Sequence, residues 1–232
     1  MTYRHMRKHI APTLAACLWP CALASQAPDP RGFDSTEFFL PIADSVAATQ
    51  GFPSLRSTSL PQGVEREIRA WVGFGLMYPQ QGLRIRVGGT GVDGWLGLWW
   101  RGTRLPYRIA SSSEVHAAEA ERRHLESVEI IRNLAADRGC RDRRESPSYE
   151  TCTMVVRAAA WSALIARLDE LGISQLPREK DGFGNDGFTL LVEYRDKDGY
   201  RAYTYWSPTK NTADDNRRAA AAIVDAISEL PH

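Results

Sequence analysis

Two cysteines, Cys140 and Cys152, stand at the ends of a charged, proline-containing stretch, CRDRRESPSYETC. Three chemistries use such a pair: metal ligation, thiol–disulfide exchange and a structural disulfide. The spacing is not CxxC, and no second cysteine pair or neighbouring histidine completes a tetrahedral zinc site. No histidine stands beside either thiol in the sequence to activate it. In an oxidising compartment the two are therefore expected to pair, closing a loop worth about 3 kcal/mol in the chain-entropy account.

The compartment is read from the other end of the chain. Arg4, Arg7 and Lys8 precede a mostly apolar run from Ile10 to Ala24, which ends in Ala22-Leu23-Ala24. Base, apolar run and small residues in that order form a secretory signal peptide, with cleavage expected after Ala24. An alternative lies within it. Leu14-Ala15-Ala16-Cys17 resembles a bacterial lipobox, in which Cys17 becomes the acylated N-terminus of an outer-membrane lipoprotein. The run after Cys17 stays apolar, where lipoproteins turn polar. Either way Cys17 and Cys21 fall in the signal region, leaving Cys140 and Cys152. The location implied is periplasmic or secreted, with membrane attachment only if the chain is lipidated.

Other chemical patterns fail on inspection. Gly89-Thr90-Gly91-Val92-Asp93-Gly94 fits G-x-G-x-x-G, but a dinucleotide loop must open a helix. Here it precedes Trp95-Leu96-Gly97-Leu98-Trp99-Trp100, which reads as a strand, so Asp93-Gly94 is expected as a hairpin turn. The stretch DGFGNDGF (181–188) lacks the alternating oxygen ligands of a calcium loop, since Phe183 occupies one such position. His116 and His124 lie eight residues apart, about 80° around a helix, a poor metal pair, and His232 ends the chain. No catalytic residue, metal site or cofactor is implied. Carboxylates are plentiful, so an envelope hydrolase that uses two of them, Glu193 among the candidates, stands as an alternative.

The sharpest candidate surface comes from the stretch FTLLVEYRDKDGYRAYTYW (188–206), a β-hairpin about Asp198-Gly199 or Asp196–Gly199. In either register, cross-strand partners have numbers of opposite parity. Leu191, Glu193 and Arg195 then share a face with Tyr200, Ala202, Thr204 and Trp206, while Leu190, Val192 and Tyr194 share the other with Tyr203 and Tyr205. The second set is more apolar and is expected to pack on helices. The first is expected to be open or covered only by the N-terminal arm. Glu193, Arg195, Tyr200, Thr204 and Trp206 are therefore the candidate binding residues, for an envelope protein or a saccharide stacked on the aromatics.

The remaining elements set the frame. Residues 25–66, rich in Pro, Gly and Ser, read as an extended or partly disordered arm. Strands are expected at 67–77, 83–87 and 95–100, a helix over 111–139 with Leu125, Val128, Ile131 and Ala135 on one face, and a strand near Cys152. A further helix carries Trp161, Leu164, Ile165 and Leu168 and stops at Gly172. The last, with Ile223, Val224 and Ile227, is capped by Asn211 or Thr212. Residues 67–232 thus form a single α+β domain, a mainly antiparallel sheet of about six strands with helices packed on one face. The chain carries +1. Taking off the three bases before Ala24 leaves −2, too little positive charge for nucleic acid as the main partner.

The pattern Trp161-x-x-Leu164…Gly172…Leu176-Pro177…Asp186-Gly187…Val192-Glu193…Tyr200-Arg201-x-Tyr203-x-Tyr205-x-x-Pro208 resembles a group of uncharacterised exported proteins of Gram-negative bacteria. The resemblance covers the C-terminal 80 residues or so. It implies export and an α+β fold, and no catalytic residue. The expected function is that of an exported cell-envelope protein acting as a binding or interaction module.

Overall fold

The computed structural model describes residues 34–74, 80–101, 114–179 and 187–230. The signal and lipobox readings with Cys17, residues 181–186 of the glycine-rich loop, His232 and the side chains of His116 and His124 lie outside the described residues. Strands β1 (Val64–Gly73), β2 (Gln80–Gly88), β3 (Gly91–Arg101), β4 (Arg141–Glu145), β5 (Tyr149–Met154), β6 (Thr189–Asp196) and β7 (Gly199–Trp206) form one sheet in the order β4-β5-β3-β2-β1-β6-β7. Every neighbouring pair is antiparallel. The fold is α+β.

Strand residues alternate between two faces, and both faces of this sheet are covered. Ile68, Ala70, Leu83, Ile85, Leu96, Leu98, Leu190 and Val192 form one apolar face. Against it pack α2 (Glu114–Asp137) through Val128 and Ile131, α3 (Ala158–Glu170) through Trp161, Leu164 and Leu168, and α4 (Asp215–Ser228) through Ile223 and Ile227. The opposite face carries Trp71, Trp95, Trp99, Leu191 and Ala202, closed by α1 (Ser35–Thr49) through Phe39, Leu40, Ala43, Val46 and Ala47. Gly82 makes room for the indoles: a Cβ there would lie 2.8 Å from the Trp71 ring and 2.9 Å from that of Trp95.

Within the stretch 25–66, expected as an extended or partly disordered arm, Ser35–Thr49 form helix α1 while residues 25–33 lie outside the described residues, and the described residues form one compact unit. Pro41 sits inside the helix, where proline costs roughly 3 kcal/mol. Burial of Phe39, Leu40 and Val46, at about 1.5–3 kcal/mol each, outweighs that cost. The start is fixed by Asp34, whose carboxylate accepts from the backbone N–H of Thr36 at 3.0 Å and of Glu37 at 3.3 Å.

The hairpin β6–β7 turns at Lys197-Asp198, with Asp196 opposite Gly199, and its two faces hold the residue sets expected from parity. The seventh strand, beyond the expected six, is β4 inside the stapled stretch. Cys140 and Cys152 are disulfide-bonded with their Cα atoms 5.7 Å apart, tying this exposed, charged edge to β5. Charge on an edge strand discourages pairing with other chains.

Three local expectations are corrected. The β2–β3 turn is Gly89-Thr90, not Asp93-Gly94, because Gly88 pairs with Gly91. The glycine at position 94 instead lies under α3, where a Cβ would come within 2.5 Å of the Trp161 ring. Asp214, not Asn211 or Thr212, caps α4, accepting from the N–H groups of Asn216 and Arg217. Leu125 on α2 is exposed, unlike its expected face-mates Val128, Ile131 and Ala135. Gly94→Ala is expected to lower stability by about 1–3 kcal/mol through overpacking, read as a lower urea midpoint. An unchanged midpoint would show that α3 does not pack as closely as described.

Candidate functional site

The face beneath α1 carries charge as well as indoles, and strand register arranges it in two rows. In one row Glu193 of β6 lies opposite Arg69 of β1, and Arg69 opposite Arg84 of β2. In the next, Tyr200, Arg195, Glu67, Arg86 and Asp93 follow one another across β7, β6, β1, β2 and β3. Glu193 and Arg195, Arg69 and Glu67, and Arg84 and Arg86 are each two positions apart on one strand, and Tyr200 and Asp93 are cross-strand partners of Arg195 and Arg86, so all point to the same face.

Glu67 is the centre of this lattice and is 1% exposed. Its Oε1 accepts from Arg69 Nε at 2.8 Å and Arg84 Nε at 3.0 Å, and its Oε2 from Arg86 Nε at 2.6 Å. Arg69 and Arg84 are cross-strand neighbours of like charge, an arrangement that repels unless a shared anion holds it. The Phe52 ring lies 4.6 Å from the Arg84 guanidinium and 5.9 Å from that of Arg69, adding a cation–π contact over the pair. One carboxylate therefore organises three guanidinium groups from two strands.

The face of Glu193, Arg195, Tyr200 and Thr204, expected to be open or covered only by the N-terminal arm, is covered by α1 and the loop after it. Glu193 is fully buried and accepts from Trp71 Nε1 at 2.9 Å and from the Tyr200 hydroxyl at 3.2 Å. The Thr204 hydroxyl is hydrogen-bonded to those of Ser35 (2.6 Å) and Thr36 (3.0 Å) at the start of α1. Arg195 donates to the carbonyls of Leu55 (2.7 Å) and Arg56 (2.8 Å) and lies over the Tyr200 ring. Trp206 is half-buried, its backbone N–H donating to Glu179. The structure thus brings Glu193, Arg195 and Tyr200 together and places Thr204 under the first turn of α1. The stacking surface expected for a saccharide is occupied by α1 and the loop after it, because the capped amphipathic helix buries its apolar side there.

Burial pushes the Glu193 carboxyl above the usual range. The bonds from Trp71 and Tyr200 and the Arg69 charge oppose the rise, and Asp44 on α1 adds to it. Burial, with the Glu193 charge beside it, likewise raises the Tyr200 phenol.

The accessible part of the lattice is a hollow of about 250 Å³ where β2 turns into β3, lined by Gly63, Val64, Arg86, Gly88, Thr90, Gly91, Val92 and Asp93. Arg86 reaches it from the buried cluster, and Asp93 is its one acid. A second hollow, of about 410 Å³, lies between α3 and α4 over Ala160, Ala163, Ala222 and Ala226. Its rim carries Arg167, Glu229 and the Lys210–Asp225 ion pair. Among the described residues no group of three or more His, Cys, Asp or Glu could hold a metal ion. Sequence reading missed Glu67, Arg84 and Arg86, although the alternation in EREIRA and LRIRV was the available signal. Comparison with protein-family models, with curated proteins and with solved structures gives no match.

The raised Glu193 carboxyl has a consequence for stability. A group that binds its proton more tightly folded than unfolded stabilises the fold below its unfolded value, and that contribution is lost as pH rises through the folded one. Between pH 4.5, its ordinary value, and neutrality, wild type is expected to lose stability relative to Glu193→Gln. Parallel urea midpoints across that window would contradict this account.

Proposed function

We propose that the protein is an exported cell-envelope domain that works by binding rather than by catalysis. The observation that carries this reading is the hollow beside Arg86, which offers a guanidinium, a hydroxyl and one carboxylate. Two-acid hydrolysis needs a pair of carboxylates flanking a substrate. On this face Glu67 and Glu193 are each buried and committed to donors from the same sheet. The disulfide between Cys140 and Cys152 supports an oxidising destination. No helix among the described residues is long and apolar enough to cross a membrane. Any attachment to a membrane in this reading runs through Cys17.

The test is the intact, non-reduced mass of protein expressed from the whole gene in a Gram-negative host. A chain beginning at Ser25, with both remaining thiols blocked until reduction, is the expected result. A chain beginning at an acylated Cys17 would make it an outer-membrane lipoprotein and move the search to membrane-bound partners. A full-length cytosolic chain with free thiols would overturn the reading.

A further inference from the structure

We propose that the hollow at the β2–β3 turn is an oxyanion site, taking a phosphate or carboxylate group of an envelope ligand through Arg86. This inference rests on the reading of the protein as a binding module and names what the module binds. Three observations lead to it.

First, the lattice is short of acceptors. Arg69, Arg84 and Arg86 all pair with the same buried carboxylate, Glu67, while the buried Glu193 opposite Arg69 accepts from Trp71 and Tyr200. Asp93 approaches Arg84 only to 3.9 Å, and its side chain is 75% exposed. Among the described residues Arg69 Nη1 is a buried guanidinium nitrogen with no hydrogen-bond partner. Buried cations are tolerated when matched by anions and full hydrogen bonding, and here the match is incomplete.

Second, Arg86 spends only its Nε on Glu67. Its two terminal nitrogens have no protein partner among the described residues, and the side chain, 25% exposed, lines the hollow. A guanidinium offering its free edge to a solvent-accessible space is the donor that recognises carboxylate and phosphate by two parallel bonds.

Third, the glycine-rich turn keeps that space open. At Gly88 a Cβ would lie 2.0 Å from the Gly63 carbonyl oxygen, so the strand and the preceding loop close into one wall. At Gly89 and Gly91 it would meet nothing within 4 Å. The Thr90 side chain adds a hydroxyl to the lining. Asp93 also lines the hollow, so its carboxylate opposes an incoming anion and sets a limit on affinity.

The experiment is calorimetric titration of the folded, oxidised protein with inorganic phosphate and with acetate, each against sodium chloride at matched ionic strength. Saturable binding is expected, weakened about ten-fold or more by Arg86→Gln. It is expected to be strengthened by Asp93→Asn, which removes the opposing charge from an exposed position and keeps the inference testable if Arg86→Gln fails to fold. Phosphatidylcholine vesicles with and without phosphatidic acid separate the sources. Binding that needs phosphatidic acid and is lost in Arg86→Gln assigns the site to a lipid headgroup, whereas binding of the free anions alone assigns it to a soluble ligand. Heats that follow ionic strength only, or an Asp93→Asn variant that binds no more tightly, would overturn the inference. An exported, disulfide-bonded protein without oxyanion binding would sink this assignment alone; a cytosolic chain with free thiols would sink the binding reading itself.

Discussion

A single carboxylate, Glu67, holds three guanidinium groups on two neighbouring strands while almost wholly shielded from water. Charges this deep are stable only while paired, so the pairing constrains everything around it. Shifting β1 against β2 by one residue would send Glu67 into the apolar face and separate it from Arg84 and Arg86. The lattice thus fixes the register of the central hairpin, and through Arg69 opposite Glu193 it extends to β6. Hydrophobic packing says only which face is inward; these ion pairs say which residue stands opposite which.

That central sheet is buried on both sides, and the two sides differ in kind. The face under α2, α3 and α4 is almost purely apolar. The face under α1 mixes indoles with the charged rows, and the loop after the helix lays Phe52 over the arginines and gives its carbonyls to Arg195. The helix itself is tied at both ends, by Ser35 and Thr36 to Thr204 and by Gln50 to Thr151 on β5. Where the charged rows run out toward the β2–β3 turn, the cover ends and Arg86 meets solvent. A binding surface at that margin uses the same arginine that the fold needs.

Much of this was legible in the sequence. Parity alone assigned both faces of the β6–β7 hairpin, since antiparallel register leaves no other choice, and the cysteine pairing was expected from the spacing together with the proposed export. The rest was hidden for identifiable reasons. Pro41 masked α1, although Asp34-Ser35-Thr36-Glu37 carries a helix-start signal. The short charged β4 reads as loop because pairing and the staple, not propensity, make it a strand. The arginines of β2 looked like a solvated face, because the carboxylate that permits their burial lies on another strand, 17 residues from Arg84 and 19 from Arg86. The glycine at 94 looked like a turn residue, because the indole above it comes from a distant helix.

The most direct test of the shared-carboxylate account is the equilibrium stability of Glu67→Gln beside a variant in which Glu67, Arg69, Arg84 and Arg86 are all replaced by leucine or methionine. Removing only the anion should cost about 3–5 kcal/mol, because three guanidinium groups are left facing one another. Removing the cluster together should recover most of that loss, since apolar side chains of similar volume replace buried ion pairs at little cost. If Glu67→Gln costs under about 1 kcal/mol, a value typical of exposed ion pairs, the carboxylate does not organise the sheet and the account fails.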